Sequence, residues 1–478
     1  MLTGMIHSFY DSERSIFMLD KKLVAEILDE ALSTGGDFAE VFAEDNKTKH
    51  LQVGNGKVES AGTNLMRGVG IRVFKGVFQT YAYTNLLDRE NLLKTADKAA
   101  AAIAGKSEKR IIDLVDVEFE DKHKIKRSPF ELERSREAEI YCGVAGHMAA
   151  ASSLVLRTDI SGFYKSRKIL VANSDGVWAE DEQNRMRIMM SAIVNRDNLT
   201  EQAGESNIGG LIGAEIFDLY NLEEIAEDVV RRAVNKLDAG DCPTGVMPVV
   251  IGNEFGGVIF HEACGHSLEA TSVAPGSSVF VGKLGQKIAS DLVTAVDDAT
   301  IPNAWGSINI DDEGTPTQRK VLIENGVLKN YMVDKFGGRR MGMPSNGASR
   351  RENYKFIPTS RMSNTLILNG KSTEEEIIAA TPYGLYAKKM GGGSVHPTTG
   401  EFNFSVDEAY LIENGKIGKQ VKGAKLVGHG ADILPNIDMV GNNMAYACGM
   451  CGSVSGHIPT TVGQPAIRVK ELTVGGQK

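Results

Sequence analysis

Two-residue turn signals set between β-like runs constrain this chain more than any other feature. Asn55–Gly56 closes one such run, and Lys75–Gly76 separates GVGIRVF from VFQTYAY. Asp175–Gly176 repeats the device, and Gly306, Asn325–Gly326, Asn369–Gly370 and Asn414–Gly415 fall between later runs. Dipeptides of this kind take the left-handed backbone that tight turns need, so the flanking runs are expected as hairpin strands. Helical periodicity is gathered elsewhere instead of alternating with each strand, which argues against βαβ units. The predicted class is α+β, with an N-terminal region of helices and antiparallel hairpins and a C-terminal β-rich domain.

Leu23, Ile27, Ala31 and Leu32 recur at helical spacing after Asp20, and Gly35–Gly36 supplies the stop. Asp88 is placed to cap a second helix that runs through an alanine-rich stretch to Gly105. A charge-rich segment, 106–130, reads as a linker or surface excursion. The order then returns: a helix over 131–151, strands around 153–207, and a helix opened by Asn221 that ends near Gly240. This repetition suggests an internal duplication of element order, although no residue-level repeat accompanies it. Cys242–Pro243 marks the next boundary; beyond it glycine is dense, and helices are expected only near 254–269 and 373–380. The expected division is a leader at 1–19, an N-terminal α+β region at 20–240 with two sub-units split near 106–130, and a C-terminal domain at 241–478.

Composition excludes several classes of function. Of 478 residues, 53 are basic and 62 acidic, for a net charge of −9, which is the wrong sign for a protein that lies on nucleic acid. The longest apolar runs, Ala99 to Ala104 and Val246 to Ile251, fall far short of the roughly 20 residues of a membrane span. Asp11, Glu13 and Arg14 break any apolar core of a secretory signal, and Met18 sits just before the first helix pattern. Residues 1–17 are expected to be a disordered leader or an over-long gene start. Five scattered cysteines, an odd number, disfavour a disulfide framework and fit a reducing compartment, so the expected location is cytoplasmic.

Chemistry concentrates in PVVIGNEFGGVIFHEACGHSLEA, residues 248–270. An apolar strand runs into Gly252–Asn253, and a helix pattern follows that carries His261, Glu262 and His266 at HExxxH spacing. Histidines four apart stack on one helix face and share a metal. Five steps of about 100° instead leave the second side chain roughly 140° round from the first. One metal can then be shared only through a π-bulge or a helix break, and Gly265, just before the second histidine, is the residue that most easily admits one. A catalytic zinc needs a third protein ligand and a structural zinc a fourth. The candidates are Cys264, His396, His429, Cys448, Cys451 and His457. Cys264 would leave the helix about 160° from His266, and His396 and His429 sit in glycine-rich turns. Cys448 and Cys451 have CxxC spacing, which opens a rival in which they close a structural site with both histidines.

HEACGHSLE at 261–269 resembles the signature of the TldD/PmbA family, in its TldD branch. CGSVSGHIPTTVGQPAIRV at 451–469 is similar to that family's closing motif, and GGGSVHPTTGEFNFSV at 391–406 and SRRENY at 349–354 look like further family segments. The resemblance covers most of the chain from 244 to 475. It implies a cytoplasmic zinc (Zn2+) metallopeptidase whose metal is held by His261, His266 and Cys451, with Glu262 as catalytic base. Cys451 is preferred to Cys448 because it heads the matching Cys-Gly…Gly-Gln-Pro segment. The matching segments also point to Arg350, Arg351, Gly391, Gly392 and Gly393 as substrate-binding, and His457, a departure from the family pattern, is expected near the metal. The implied substrates are unfolded peptides or small proteins, as in antibiotic-peptide maturation and antitoxin degradation. The implied partner is a TldE/PmbA-type paralogue lacking the zinc motif, in a heterodimer, with a homodimer for the isolated chain. An older family label, modulator of DNA gyrase, implies the alternative: a non-catalytic regulatory protein with a structural zinc.

Overall fold

The structure is a computed structural model that describes residues 19–106, 111–396 and 400–476; the expected leader, but for Leu19, lies outside the described residues. Helix α1 (Lys21–Ala31) starts where Asp20 accepts a hydrogen bond from the Leu23 N–H at 2.7 Å, satisfying one of the amides a helix start leaves bare. Three antiparallel strands follow, β1 (Phe38–Gly54), β2 (Lys57–Lys75) and β3 (Phe78–Thr84), then α2 (Arg89–Ala100), capped by Asp88. The same order recurs in α3 (Arg134–Ala151), β4 (Val155–Asn173), β5 (Val177–Arg196), β6 (Leu199–Gly210) and α4 (Leu222–Leu237), the last capped by Asn221. The two halves are not separate bodies. β1 pairs antiparallel with β4 from Glu40↔Asn173 to Gly54↔Asp159, which joins both sets in one sheet of order β3-β2-β1-β4-β5-β6. The segment expected as a linker runs along this sheet, pairing at Val115–Asp116 with the start of β5.

Strand alternation divides the sheet's work between its faces. On β1, Ala39, Val41 and Ala43 join the core under α1 and α2, and Leu51 and Val53 join the core under α3 and α4. The intervening positions point the other way, toward the C-terminal domain. Phe42 packs there with Ile310 and Tyr354. Glu40 and Glu44 accept from buried arginines: Glu40 from Arg72 and Arg351, each at 2.8 Å, and Glu44 from Arg167 at 2.8 Å. Arg72 also reaches Glu313 and Arg167 reaches Asp312, so the joint between the two parts of the molecule is a buried ion network.

In the C-terminal domain, strand pairing closes on itself. β7 (Gly245–Ile251) lies between β9 (Tyr383–His396) and β14 (Ile467–Gly475); β14 pairs with β11 (Lys425–His429), β11 with β10 (Glu401–Glu413), and β10 returns to β9. A second sheet ends in β8 (Asn364–Ile367), β13 (Gly456–Gln464) and β12 (Ala445–Ser453). The chain leaves β7 through a 3₁₀ turn, Glu254–Gly257, into α5 (Val258–Ala263), which contacts β9 and β10 of the ring and β8 and β13 of the second sheet. Two glycines permit that seat. A Cβ on Gly257 would lie 2.4 Å from the Gly463 nitrogen of β13, and one on Gly430 would lie 1.8 Å from the Ala263 carbonyl oxygen. The expected short helix near 373–380 forms over Glu374–Ala379 behind a Thr373–Glu376 capping box.

Candidate metal centre

The helix expected over 254–269 is broken in the middle, as the histidine spacing requires. α5 stops at Ala263, Cys264 takes φ −130° and ψ −41°, and a 3₁₀ turn runs over Gly265–Leu268. His261 and His266, which a straight helix would splay, therefore converge, with ring centroids 5.1 Å apart at 82°. Cys451 arrives from β12 and completes the group: its Sγ is 3.3 Å from His261 Nε2 and 3.2 Å from His266 Nε2. Zinc bonds of roughly 2.1 Å to nitrogen and 2.3 Å to sulfur give a tetrahedral edge of about 3.6 Å, only a few tenths longer.

The groups behind the ligands fit the same purpose. His261 Nδ1 is 3.0 Å from Thr365 Oγ1 on β8, and His266 Nδ1 is 3.2 Å from the buried Glu269 carboxylate. Each contact engages the ring nitrogen turned away from Cys451 and leaves Nε2 free to donate a lone pair, the arrangement expected around a histidine-bound metal. Burial opposes ionisation of Cys451, but His261 and His266 outweigh it and hold the thiol well below its ordinary range. Burial likewise opposes a charged His266, yet Glu269 and Cys451 hold that imidazole well above the usual value. Two imidazoles and a thiolate suit a borderline-soft ion such as zinc. Among the described residues, His261, His266 and Cys451 form the one cluster whose donor atoms could jointly hold a metal. Glu262 stands beside them, with Oε2 3.6 Å from His266 Nε2 and its side chain 20% exposed.

Residues 39–103, 134–237 and 244–476 match, in turn, domain 1, the central domain and the C-terminal domain of the PmbA/TldA metallopeptidases. The chain is 36% identical to the metalloprotease TldD homolog of Haemophilus influenzae over 92% of its own length and 93% of the relative's. It is 34% identical to the Buchnera aphidicola homolog over 94% and 95%. The chain belongs to the PmbA/TldD metallopeptidase family. A relative in Saccharolobus solfataricus, 29% identical over 55% of this chain and 58% of its own, is named a zinc metalloprotease TldD homolog. Among solved structures, a Thermotoga maritima protein described as a modulator of a DNA gyrase superimposes with a TM-score of 0.78 at 21% identity, over 95% of this chain and 100% of that one. TldE from Thermococcus kodakarensis gives 0.75 at 19%, over 95% and 100%. Both likenesses are of fold.

Within this PmbA/TldD chain the remaining expected residues are distributed differently. Cys448 lies three positions from Cys451 on one strand, hence on the opposite face. Its backbone N–H donates to Asn207 of β6, and burial pushes its thiol up to about 12. The CxxC spacing therefore does not assemble a four-ligand site. His457 pairs with Gly452 across the β12–β13 hairpin, while Cys451 pairs with Ile458, so His457 is exposed on the face away from the ligands and not near the metal. Cys264 is buried against Gly430, and His429 is exposed at the end of β11. Arg350 and Arg351, expected against substrate, are turned inward: Arg350 donates to the Met362 carbonyl, and Arg351 to Glu40 and the Asp312 carbonyl. Arg351 thereby belongs to the joint between the two parts of the molecule, and Arg350 is enclosed within the C-terminal domain. Gly391 and Gly392 border a cavity of about 300 Å³ shared with Glu205, Arg232, Glu254 and Cys448, while a Cβ on Gly393 would strike Phe404. Two groups behind the ligands escaped the sequence reasoning. Glu269, three residues after His266, had a usable signal, because a ligating histidine needs a partner for its other nitrogen. Thr365 had none.

Proposed function

We propose that this protein is a zinc-dependent peptidase that hydrolyses unfolded peptides or small proteins, with Glu262 as its proton carrier. The convergence of three donor atoms beside a partly exposed carboxylate is the observation that carries this reading. When bound, zinc supplies Lewis-acid activation of a water molecule and of the scissile carbonyl. Glu262 would accept a proton at its carboxylate from the attacking water and return it to the leaving amine. Thr365 and Glu269 keep the two imidazoles in the tautomer and orientation their task needs. A peptide taken up by strand addition to a Gly-rich β segment would be extended, which favours unfolded chains. The reading includes a heterodimer with a TldE/PmbA-type paralogue, supported by the likeness to the TldE fold. It also includes a cytoplasmic setting, supported by five cysteines that are all free. No described helix is long and apolar enough to cross a membrane.

The competing reading, a regulator built round a structural zinc, draws support from the description of the Thermotoga protein. It is weakened by the donor count, since a closed structural site uses four ligands and Cys448 faces away. Metal analysis with peptide-library digestion, run with and without the paralogue, separates the two. About one zinc per chain, lost in His261→Ala and Cys451→Ala, together with cleavage of unfolded peptides, is expected. Zinc retention on Cys451→Ala with loss on Cys448→Ala would overturn the ligand set, and an inert wild-type pair across the library would favour the regulator.

A further inference from the structure

Arg361 is fully buried and lies against the backbone of Cys451, next to the three-donor cluster. Its guanidinium donates to the Cys451 carbonyl at 2.6 Å, to Ser455 Oγ at 2.9 Å and to the Gly456 carbonyl at 3.0 Å. Those three acceptors lie along the end of the β12–β13 hairpin, so one planar group fixes the turn that delivers the thiolate. On its other side, Arg361 Nε faces Glu269 Oε1 at 4.0 Å. Glu269 holds His266 through its second oxygen, at 3.2 Å. Arg361 Nε and Glu269 Oε1 are both buried without a hydrogen-bond partner, although they carry opposite charge and face one another. A movement of under about 1 Å would bring them within hydrogen-bonding distance.

We propose that Arg361 is a positioning residue that couples two of the three metal ligands, Cys451 through the hairpin backbone and His266 through Glu269, and thereby sets the metal affinity of the site. The two ligands come from segments 185 residues apart, and neither segment alone fixes their spacing. A lysine could supply the charge but not the fork that reaches three acceptors and a carboxylate at once. Glu269 meets His266 with one oxygen and faces Arg361 with the other, so a guanidinium held there fixes where the carboxylate meets the ring. The inference rests on the zinc-binding reading above.

The test uses the full chain, stripped of metal and titrated with zinc against a chromophoric chelator, and with cobalt while the thiolate-to-cobalt absorption band is followed. Arg361→Gln is expected to weaken zinc by roughly 10- to 100-fold, the range typical of lost outer-shell partners, and to shift or weaken the cobalt band. Arg361→Lys should fall between Gln and wild type, and it carries the test if the Gln variant does not fold. Arg72→Gln serves as the control for a merely structural role: it removes an equally buried arginine from the domain joint, and should lower the melting temperature while leaving metal affinity unchanged. Wild-type affinity and spectrum in a folded Arg361 variant would overturn the proposal, as would an affinity loss no greater than that of Arg72→Gln. A wild-type chain that binds neither zinc nor cobalt would overturn the zinc reading itself, which is a distinguishable result.

Discussion

Glu262 and His261 are neighbours in the chain with separable duties. The histidine turns Nε2 to Cys451, while the glutamate carboxylate stands 3.6 Å from His266 Nε2 and lies outside the three-donor cluster. Under the proposed function, Glu262→Gln keeps the volume and removes the base. It should retain full zinc, read by atomic absorption, while peptide cleavage falls by about 10²- to 10⁴-fold. Rates equal to wild type would remove Glu262 from the reaction. The histidine pair and Glu262 are legible in the sequence because all three lie within one short motif, whereas Cys451 is legible only through the family resemblance. Arg350 and Arg351 were misread for a physical reason. They were read as substrate-binding from their place in a segment that resembles the family, and nothing local reveals that Glu40, 311 residues away, already occupies Arg351. His457 was misread because proximity in sequence to Cys451 says nothing of strand parity.

At the scale of the element, the five-residue spacing is resolved by ending α5 and resuming in a 3₁₀ turn, with the break at Cys264 and not through a π-bulge. Gly265 matters for a reason other than the backbone freedom expected of it. Its φ is not in the left-handed region, but a Cβ there would sit 2.2 Å from Met362 Sδ, a fully buried side chain. Gly265→Ala should therefore push on Met362, displace His266 and weaken zinc several-fold. Met362→Ala in the same chain should restore much of that affinity, measured by the same chelator competition. If instead the double variant is as weak as Gly265→Ala, crowding is not the cause. Hairpin strands and capped helices are legible throughout the first half because turn dipeptides and cap residues act locally. The closure of the C-terminal ring is not, since β7 finds its partners from 130 to more than 200 residues later.

Across the whole molecule, the long sheet is fastened to the C-terminal domain through buried charge. Asp334 lies in that joint beside Glu313, the partner of Arg72; burial and then the Glu313 charge push its carboxyl up to about 7. An unfolded chain would release that proton near the ordinary value of about 3.9. Between those values the folded state holds a proton that the unfolded state has lost, so this group's contribution to stability falls as pH rises from about 4 through 7. Asp334→Asn should raise the melting temperature more at pH 8 than at pH 5. At roughly 1.4 kcal/mol per pH unit between about 5 and 7, the extra gain at the higher pH is about 2–3 kcal/mol. A wild-type-like drop in the Asn variant between the two pH values, seen by calorimetry, would rule out Asp334 as the source. The strand ring described above has a consequence for biosynthesis. The strand that feeds directly into the His261 helix is flanked on one side by β14, residues 467–475, so its edge stays bare until that stretch has left the ribosome. Cys451 emerges 190 residues after His261. A nascent chain that has not yet reached those segments thus holds two histidines without the thiol and a helix without its cradle, so the three donors come together only after residues 451 and 467–475 have been made.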